Sequence, residues 1–305
     1  MNTQDINSIA SVHLGKAGDG TVVKPYVTPE SVDKSLLVGI PRELNRTSYG
    51  INNDLFAGMD VWNAYEFSTL LKNGFPVSGW LKFVYDWDTP NIVESKSVKL
   101  YLNSFNMARL INSLDEIYRI EDMIAVYLGE VLGCNDVMVN LSIGDVGTYR
   151  PIKHDFIQLE TYCDVENMTF DQYNEDVNIL KVVDSDRKPQ QWKSYSLRSN
   201  CRVTNQPDWG DVYVAIKGPK GVTPESLLQY IVSMRRENHF HEEICECIYK
   251  RLFDILQPDD LFVTCLYTRR GGIDINPVRA SHYHVMHKFA DALVSSWPCT
   301  KTSRQ

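Results

Sequence analysis

"VESKSVKLYLNSFN", residues 93–106, begins as a solvated polar segment and finishes as part of a core. With period two, Glu94, Lys96, Val98, Leu100 and Leu102 fall on one face and Ser95, Ser97, Lys99 and Tyr101 on the other. The stretch therefore reads as a strand whose apolar face opens on a carboxylate and an ammonium. Charges beside a core are costly unless they are paired or occupied by a ligand. An ordinary strand end reaching water with a Glu/Lys pair explains it as well as a binding site does, so the rest of the chain must decide.

Outward from this stretch, residues 1–34 are polar and Gly-rich and read as an arm. An N-terminal module is expected over 35–135 and a C-terminal module over 136–305. "GWLKFVYDW" (79–87) reads as a strand before the opening stretch. After Asn103 the period turns helical, with Ile120, Met123, Ile124, Tyr127, Leu128 and Val131 on one face and Gly133 as a C-cap. The pattern then restarts. "DVMVNLSI" (136–143) and "FIQLETYCDV" (156–165) read as strands, 174–191 as a polar loop, and "SYSLRSNC" (194–201) with "DVYVAIKG" (211–218) as a second strand pair. Thr223 followed by Pro224 predicts a helix start, with that helix running to about Arg236. A further helix carries Phe240, Ile244, Ile248, Leu252 and Ile255 on one side, and "DLFVTCLYTRRGG" (260–272) closes with a strand. Strand pairs followed by helices in each half predict an α+β fold with antiparallel sheets. Neither a G-x-G-x-x-G helix start nor a Walker A pattern occurs, so any nucleotide cofactor is bound by something other than a Rossmann fold.

The 305 residues carry 31 Lys+Arg against 39 Asp+Glu, a net charge of −8. Broad attraction to nucleic acid or to an anionic membrane is thereby disfavoured, and any anion must be met by a local basic cluster. No apolar run approaches the ~18 residues of a membrane span, and the first twenty residues lack the pattern of a secretory leader. Seven cysteines, an odd and scattered set, predict reduced thiols and a cytoplasmic protein.

Four places could carry chemistry. "LRSNCRVTNQPDWGD" (197–211) sets Cys201 seven residues before Asp208, with a turn between them that could fold the acid toward the thiol. A thiolate attacks electrophilic carbon, and a nearby acid can protonate what the attack generates. "NHFHEEICECI" (238–248) offers His239, His241, Cys245 and Cys247, but the spacing does not match a zinc layout, and no metal is expected. Glu242 reads either as a helix-start charge or as a ligand group. "HYHVMH" (282–287) reads as solvated surface, while "TRRGGIDINP" (268–277) sets two arginines beside two glycines, a credible phosphate contact.

Taken in order, "ESKSVKLYLNSFN", "SNC…QPDWGD", "FHE" and "RRGGIDINP" resemble the 7-cyano-7-deazaguanine reductases, NADPH-dependent nitrile reductases of queuosine synthesis, in their long two-module form. The resemblance spans about residues 35–300. It implies two fused tunnelling-fold modules, antiparallel strands backed by paired helices, assembled as a homodimer. It implies that Cys201 adds to the nitrile as a covalent thioimide, that Asp208 is the general acid, and that two NADPH are used per turnover. Val93, Glu94, Ser95, Phe240, His241 and Glu242 would hold the deazaguanine. Ser95, Lys96, Arg270 and Gly271 would hold NADPH, with no metal and no direct nucleic-acid contact. The polar start of 93–106 would then be part of a site. The sequence departs from the family's usual pattern at Arg202, commonly apolar, and at Val278, commonly Trp. An amidine-forming relative that uses no NADPH, and a non-catalytic purine-binding module, are the rival readings.

Overall fold

A computed structural model of the chain describes residues 29–144, 146–302 and 305. Most of the expected arm, residues 1–28, lies outside the described residues. Along the chain the strands are β1 (Gly39–Pro41), β2 (Ala57–Leu71), β3 (Pro76–Asp86), β4 (Asn91–Val93), β5 (Arg109–Ile111), β6 (Val137–Ile143), β7 (Ile157–Gln158), β8 (Val182–Asp184), β9 (Gln190–Asn200), β10 (Pro207–Lys217), β11 (Lys220–Val222), β12 (Asp260–Tyr267) and β13 (Ile273–Ala280). The helices are α1 (Glu43–Tyr49), α2 (Ser95–Asn103), α3 (Tyr118–Leu132), α4 (Leu159–Tyr162), α5 (Pro224–Ser233), α6 (His241–Leu256) and α7 (Tyr283–Val294). The chain forms two compact units that exchange short segments. Of the described residues, the first takes those up to Leu44, within Trp62–Gly147 and within Arg270–Ile273; the second takes those within Asn45–Val61, within Thr148–Arg269 and from Asp274 on.

In the first unit β3 lies between β2 and β6, antiparallel to β6 with Phe83 opposite Val139, and short β5 runs parallel to β2. Its core is aromatic: Trp62 stacks on Phe83 at 5.3 Å, and Tyr101 meets Phe105 edge-on at 5.3 Å. On α3, Ile120, Ile124, Leu128 and Leu132 are buried, the 3.6-residue spacing of an amphipathic helix. Gly133 ends that helix at φ 78°, a conformation that suits glycine.

The strand expected over 93–102 is corrected here. Only Asn91–Val93 is extended, and Ser95–Asn103 is helical. Ser97 and Tyr101, both assigned to the solvent face by period two, are buried together with Val98 and Leu102. That set is spaced one, three and one residue apart, which only a helix brings to one side. Glu94 starts the helix: its Oε1 accepts from the Lys96 N–H at 2.9 Å and its Oε2 from the Ser97 N–H at 2.6 Å. The polar beginning of the stretch is thus a capping device, and the carboxylate that looked costly beside a core satisfies helix donors.

In the second unit the strand order is β13-β12-β10-β9-β7, with β8 and β11 as a separate pair. β9 and β10 form the expected hairpin, Asp208 opposite Ser199 and Trp209 opposite Arg198. Thr223 caps α5 by accepting from Ser226 N–H at 3.3 Å, with Pro224 in the first helical position. On α6, Ile244, Ile248 and Leu252 are buried as expected, but Leu256 rather than Ile255 closes the stripe. Two further expectations are corrected. Residues 156–165 keep only the two-residue β7 before the short α4, and 174–191 contain β8 in what the composition marked as loop.

A buried ion network organises this unit. Arg279 pairs with Asp60 at 2.9 Å and with Glu246 at 2.8 Å, and Glu246 also takes Arg46 at 2.6 Å. All four side chains are at most 5% exposed. Burial opposes the Arg279 charge, but Asp60 and Glu246 outweigh it and raise its pKa. Among the described residues no helix is long and apolar enough to cross a membrane.

Candidate functional site

The first unit places Ser95 and Lys96 in the opening turn of α2, both exposed, and Val93 and Glu94 buried just before it. The cap engages both Glu94 oxygens, and Ser95 Oγ donates to Oε1 as well, at 3.4 Å. Among the described residues Lys96 has no carboxylate within ion-pair distance. Arg270 and Gly271 enter the same unit on a tight turn, where Arg270 N–H donates to Ile273 O at 2.9 Å. Gly271 and Gly272 have φ of 61° and 80°, and a Cβ on Gly272 would lie 2.4 Å from the Glu66 carboxyl carbon. The glycines are therefore required by the turn itself. Lys99, which sequence reasoning did not single out, ties the turn to α2: its Nζ donates to Gly271 O at 2.6 Å and pairs with Glu66 at 3.1 Å. That bond spans 172 residues and ties α2, which carries Ser95 and Lys96, to the Arg270–Gly271 turn.

In the second unit Cys201 follows the last residue of β9. Its N–H donates to Gln206 O at 2.8 Å and its carbonyl accepts from Asn205 N–H at 2.9 Å, closing a turn in which Asn205 takes φ 55°. This turn delivers the chain into β10, where Asp208 is buried at 8% exposure. Asp208 Oδ2 lies 3.5 Å from His241 Nε2. The His241 ring stacks on Tyr267, centroids 3.7 Å apart and planes within 8°. The other ring nitrogen, Nδ1, is buried without a hydrogen-bond partner among the described residues. Glu242, at 3% exposure, sits in the first turn of α6, where the helix dipole favours a carboxylate. Asn200 N–H donates to Glu237 O and Asn200 O accepts from His239 N–H, so the segment leading to Phe240, His241 and Glu242 is zipped to the strand end that presents Cys201.

Arg202 strengthens that link. Its Nε donates to Glu243 Oε2 at 3.1 Å, one Nη to Asn45 Oδ1 at 3.2 Å, and the same Nη meets His239 Nδ1 at 2.9 Å. Glu243 also takes the Phe240 N–H at 3.0 Å. Burial alone would lower the His239 pKa, but Glu237 and Glu243 on its two sides outweigh it and raise it. The departure from the family pattern at Arg202 is therefore an ion-paired position. Its partners come from other elements, far along the chain, which no local pattern could reveal.

Five of the other cysteines are buried, and Cys134 alone is half-exposed like Cys201. Cys245 Sγ faces the carbonyls of Val263 and Pro277, each at 3.6 Å, and burial pushes Cys247 up to about 12. Burial also raises Cys134, Cys163 and Cys265. Cys201 is half-exposed at a polar turn. Because Cys245 and Cys247 turn inward, they do not gather with His239 and His241. Among the described residues no group of three or more His, Cys, Asp or Glu is placed to hold a metal.

Residues 28–141 match the family model described as "Nitrile reductase, 7-cyano-7-deazaguanine-reductase N-term", and 207–286 match "QueF-like protein". The first span holds the α2 turn, and the second holds Asp208, the start of α6 and the Arg270 turn. The chain belongs to this nitrile reductase family. Among its relatives is the NADPH-dependent 7-cyano-7-deazaguanine reductase of Colwellia psychrerythraea, 37% identical over 290 residues, which cover 92% of this chain and 95% of the relative.

Proposed function

We propose that this protein reduces the nitrile of 7-cyano-7-deazaguanine to the aminomethyl group with NADPH, a step of queuosine synthesis. The observation that carries the reading is the second-unit arrangement: a half-exposed thiol on a closed turn, a buried acid 3.5 Å from a histidine, and a second buried acid beside that histidine. In the first step the Cys201 thiolate sulfur bonds to the nitrile carbon, one π bond of the C≡N triple bond is broken to leave C=N, and a proton reaches the nitrogen, giving a thioimide. Asp208 supplies that proton, with His241 holding its carboxyl in place. Glu242 accepts two N–H groups of the pyrimidine edge, a bidentate match, and His241 Nδ1 and Phe240 contact the same ring system. Val93, Glu94 and Ser95 make further base contacts.

The first unit's residues fit NADPH. Lys96 is an exposed cation with no carboxylate partner among the described residues, on the helix that Lys99 ties to the Arg270–Gly271 turn. When bound, each NADPH supplies one hydride equivalent, so a four-electron reduction uses two per turnover. Ser95, Lys96, Arg270 and Gly271 hold its phosphates and sugars. Residues 35–135 and 136–305 are read as one tunnelling-fold module each, and two copies of the chain assemble as a homodimer in the cytoplasm, consistent with seven unpaired thiols.

Intact-mass measurement tests the chemistry. Mixed with 7-cyano-7-deazaguanine and no NADPH, the protein gains one substrate mass per chain, and Cys201→Ala gains none. Asp208→Asn forms the adduct about 10²–10⁴-fold more slowly while substrate still binds. An adduct persisting in Cys201→Ala, or mapping to Cys245 or Cys247, overturns the assignment. NADPH oxidation on mixing with the nitrile separates this reading from amidine formation and from simple purine binding.

A further inference from the structure

In this chain of net charge −8, three arginines of the second unit meet with no carboxylate to answer them. Arg198 on β9 and Arg235 and Arg236 in the turn after α5 line a recess of about 450 Å³ with Phe170, Tyr173 and Val232. The Arg198 and Arg235 guanidinium carbons lie 5.8 and 5.3 Å from the Trp209 ring centre, and that of Arg236 lies 5.8 Å from Tyr173. Arg198 also donates to Arg235 O, and Arg236 N–H donates to Tyr173 O at 3.0 Å. Among the described residues none of the three reaches an acid within ion-pair distance. Other arginines of the unit do: Arg46, Arg202, Arg251 and Arg279 each pair with one.

Three cations lining one recess repel one another, and the ring faces offset only part of that. The rings also hold the guanidinium groups in place, which lowers the ordering cost when an anion arrives. A planar fork of N–H donors suits the oxygens of a phosphate. We propose that the Arg198–Arg235–Arg236 recess binds the phosphate or pyrophosphate group of a small ligand. None of these residues has a part in the proposed reduction, so the proposal stands or falls apart from it.

Calorimetric titration with inorganic pyrophosphate at low ionic strength tests this. A Lys96→Gln/Arg270→Gln background keeps the proposed cofactor residues from contributing. Saturable binding is expected, weakened about 10-fold or more by Arg235→Gln and by Arg236→Gln, the loss of one charge-assisted contact. Arg236 is exposed, so Arg236→Gln decides the matter if the variant at the half-buried Arg235 fails to fold. ADP binding more tightly than pyrophosphate, with the same losses, assigns the phosphate to a nucleotide stacked on Phe170 or Tyr173. Equal affinities assign it to the phosphate group alone. Absence of saturable binding, or affinity unchanged in both variants, overturns the proposal. So does far tighter binding of a single-stranded oligonucleotide, which would make the recess a nucleic-acid surface.

Discussion

α2 and α6 both open on carboxylates, one in each unit, and the acids are engaged differently. At α2 the acid is the residue before the helix, and both oxygens of Glu94 already hold the N–H groups of Lys96 and Ser97. At α6 the capping acid lies inside the helix: Glu243 turns back to the Phe240 N–H and also takes Arg202 and His239. Its neighbour Glu242 does not cap the helix and sits beside His241, whose Nδ1 has no partner among the described residues. The α2 start keeps Ser95 and Lys96 exposed, suited to a charged and solvated cofactor, whereas α6 encloses its polar groups, suited to a flat heterocycle. Division of labour between adjacent acids separates the one that caps from the one that can meet a ligand.

Removing the dedicated cap should have the largest effect. Glu243→Gln leaves Arg202 buried without its charge partner, both side chains being 9% exposed, and is expected to destabilise the protein by about 3–5 kcal/mol in urea unfolding. A loss below ~1 kcal/mol would mean that Glu243 is no more committed to structure than Glu242. Glu242→Gln should instead leave the unfolding midpoint much nearer to that of the parent protein and weaken 7-cyano-7-deazaguanine binding by roughly 1.5–3 kcal/mol, about 10–150-fold. Glu94→Ala should cost about 1 kcal/mol of stability through the lost cap, a fall of a few degrees in melting temperature. Full stability with abolished binding would instead place Glu94 in the same role as Glu242 and collapse the contrast.

The smallest effect is a pH slope. The His239 pKa is raised in the folded state, with Glu237, Glu243, Arg202 and Tyr49 around the ring. Its contribution to stability is therefore complete below the unfolded value of ~6.5 and is lost as pH rises through the raised folded value. Glu243→Gln removes one of the two carboxylates, so the window should move down in pH. NMR titration of the His239 ring in both proteins measures the shift, and an upward or absent shift would show that Glu237 alone sets it.

Much of the fold was legible where its determinants are local. The α5 start is marked by Thr223 and Pro224 and the α3 end by Gly133, each acting within a few residues. The 194–218 hairpin was legible as a strand pair, but the Gln-Pro-Asp-Trp-Gly segment read as its turn opens β10 from Pro207 on, and the turn lies at Cys201–Gln206. The α2 helix was misread because Val98, Leu100 and Leu102 alternate as well as they spiral, and a short apolar run does not separate the two periods. Burial of Ser97 and Tyr101 does separate them, and that is a tertiary fact. Lys99, Glu246 and Arg279 escaped notice for a different reason. Each looks like an ordinary surface charge until the chain brings its partner from 33 to 219 residues away.

The buried network of the second unit also sets an order of events during synthesis. Arg46 waits 200 residues for Glu246, and Asp60 waits 219 for Arg279. At ~5–20 residues per second a ribosome takes roughly 10–40 s to add that length. During this interval Asn45–Val61 has emerged amid the first unit's sequence, while the strands and helix it belongs with do not yet exist. Arg46 and Asp60, two of the segment's three charges, favour its hydration over that time, and the network that buries them closes only when β13 supplies Arg279. The last strand to leave the ribosome is thus the one that commits an early piece of chain to its place.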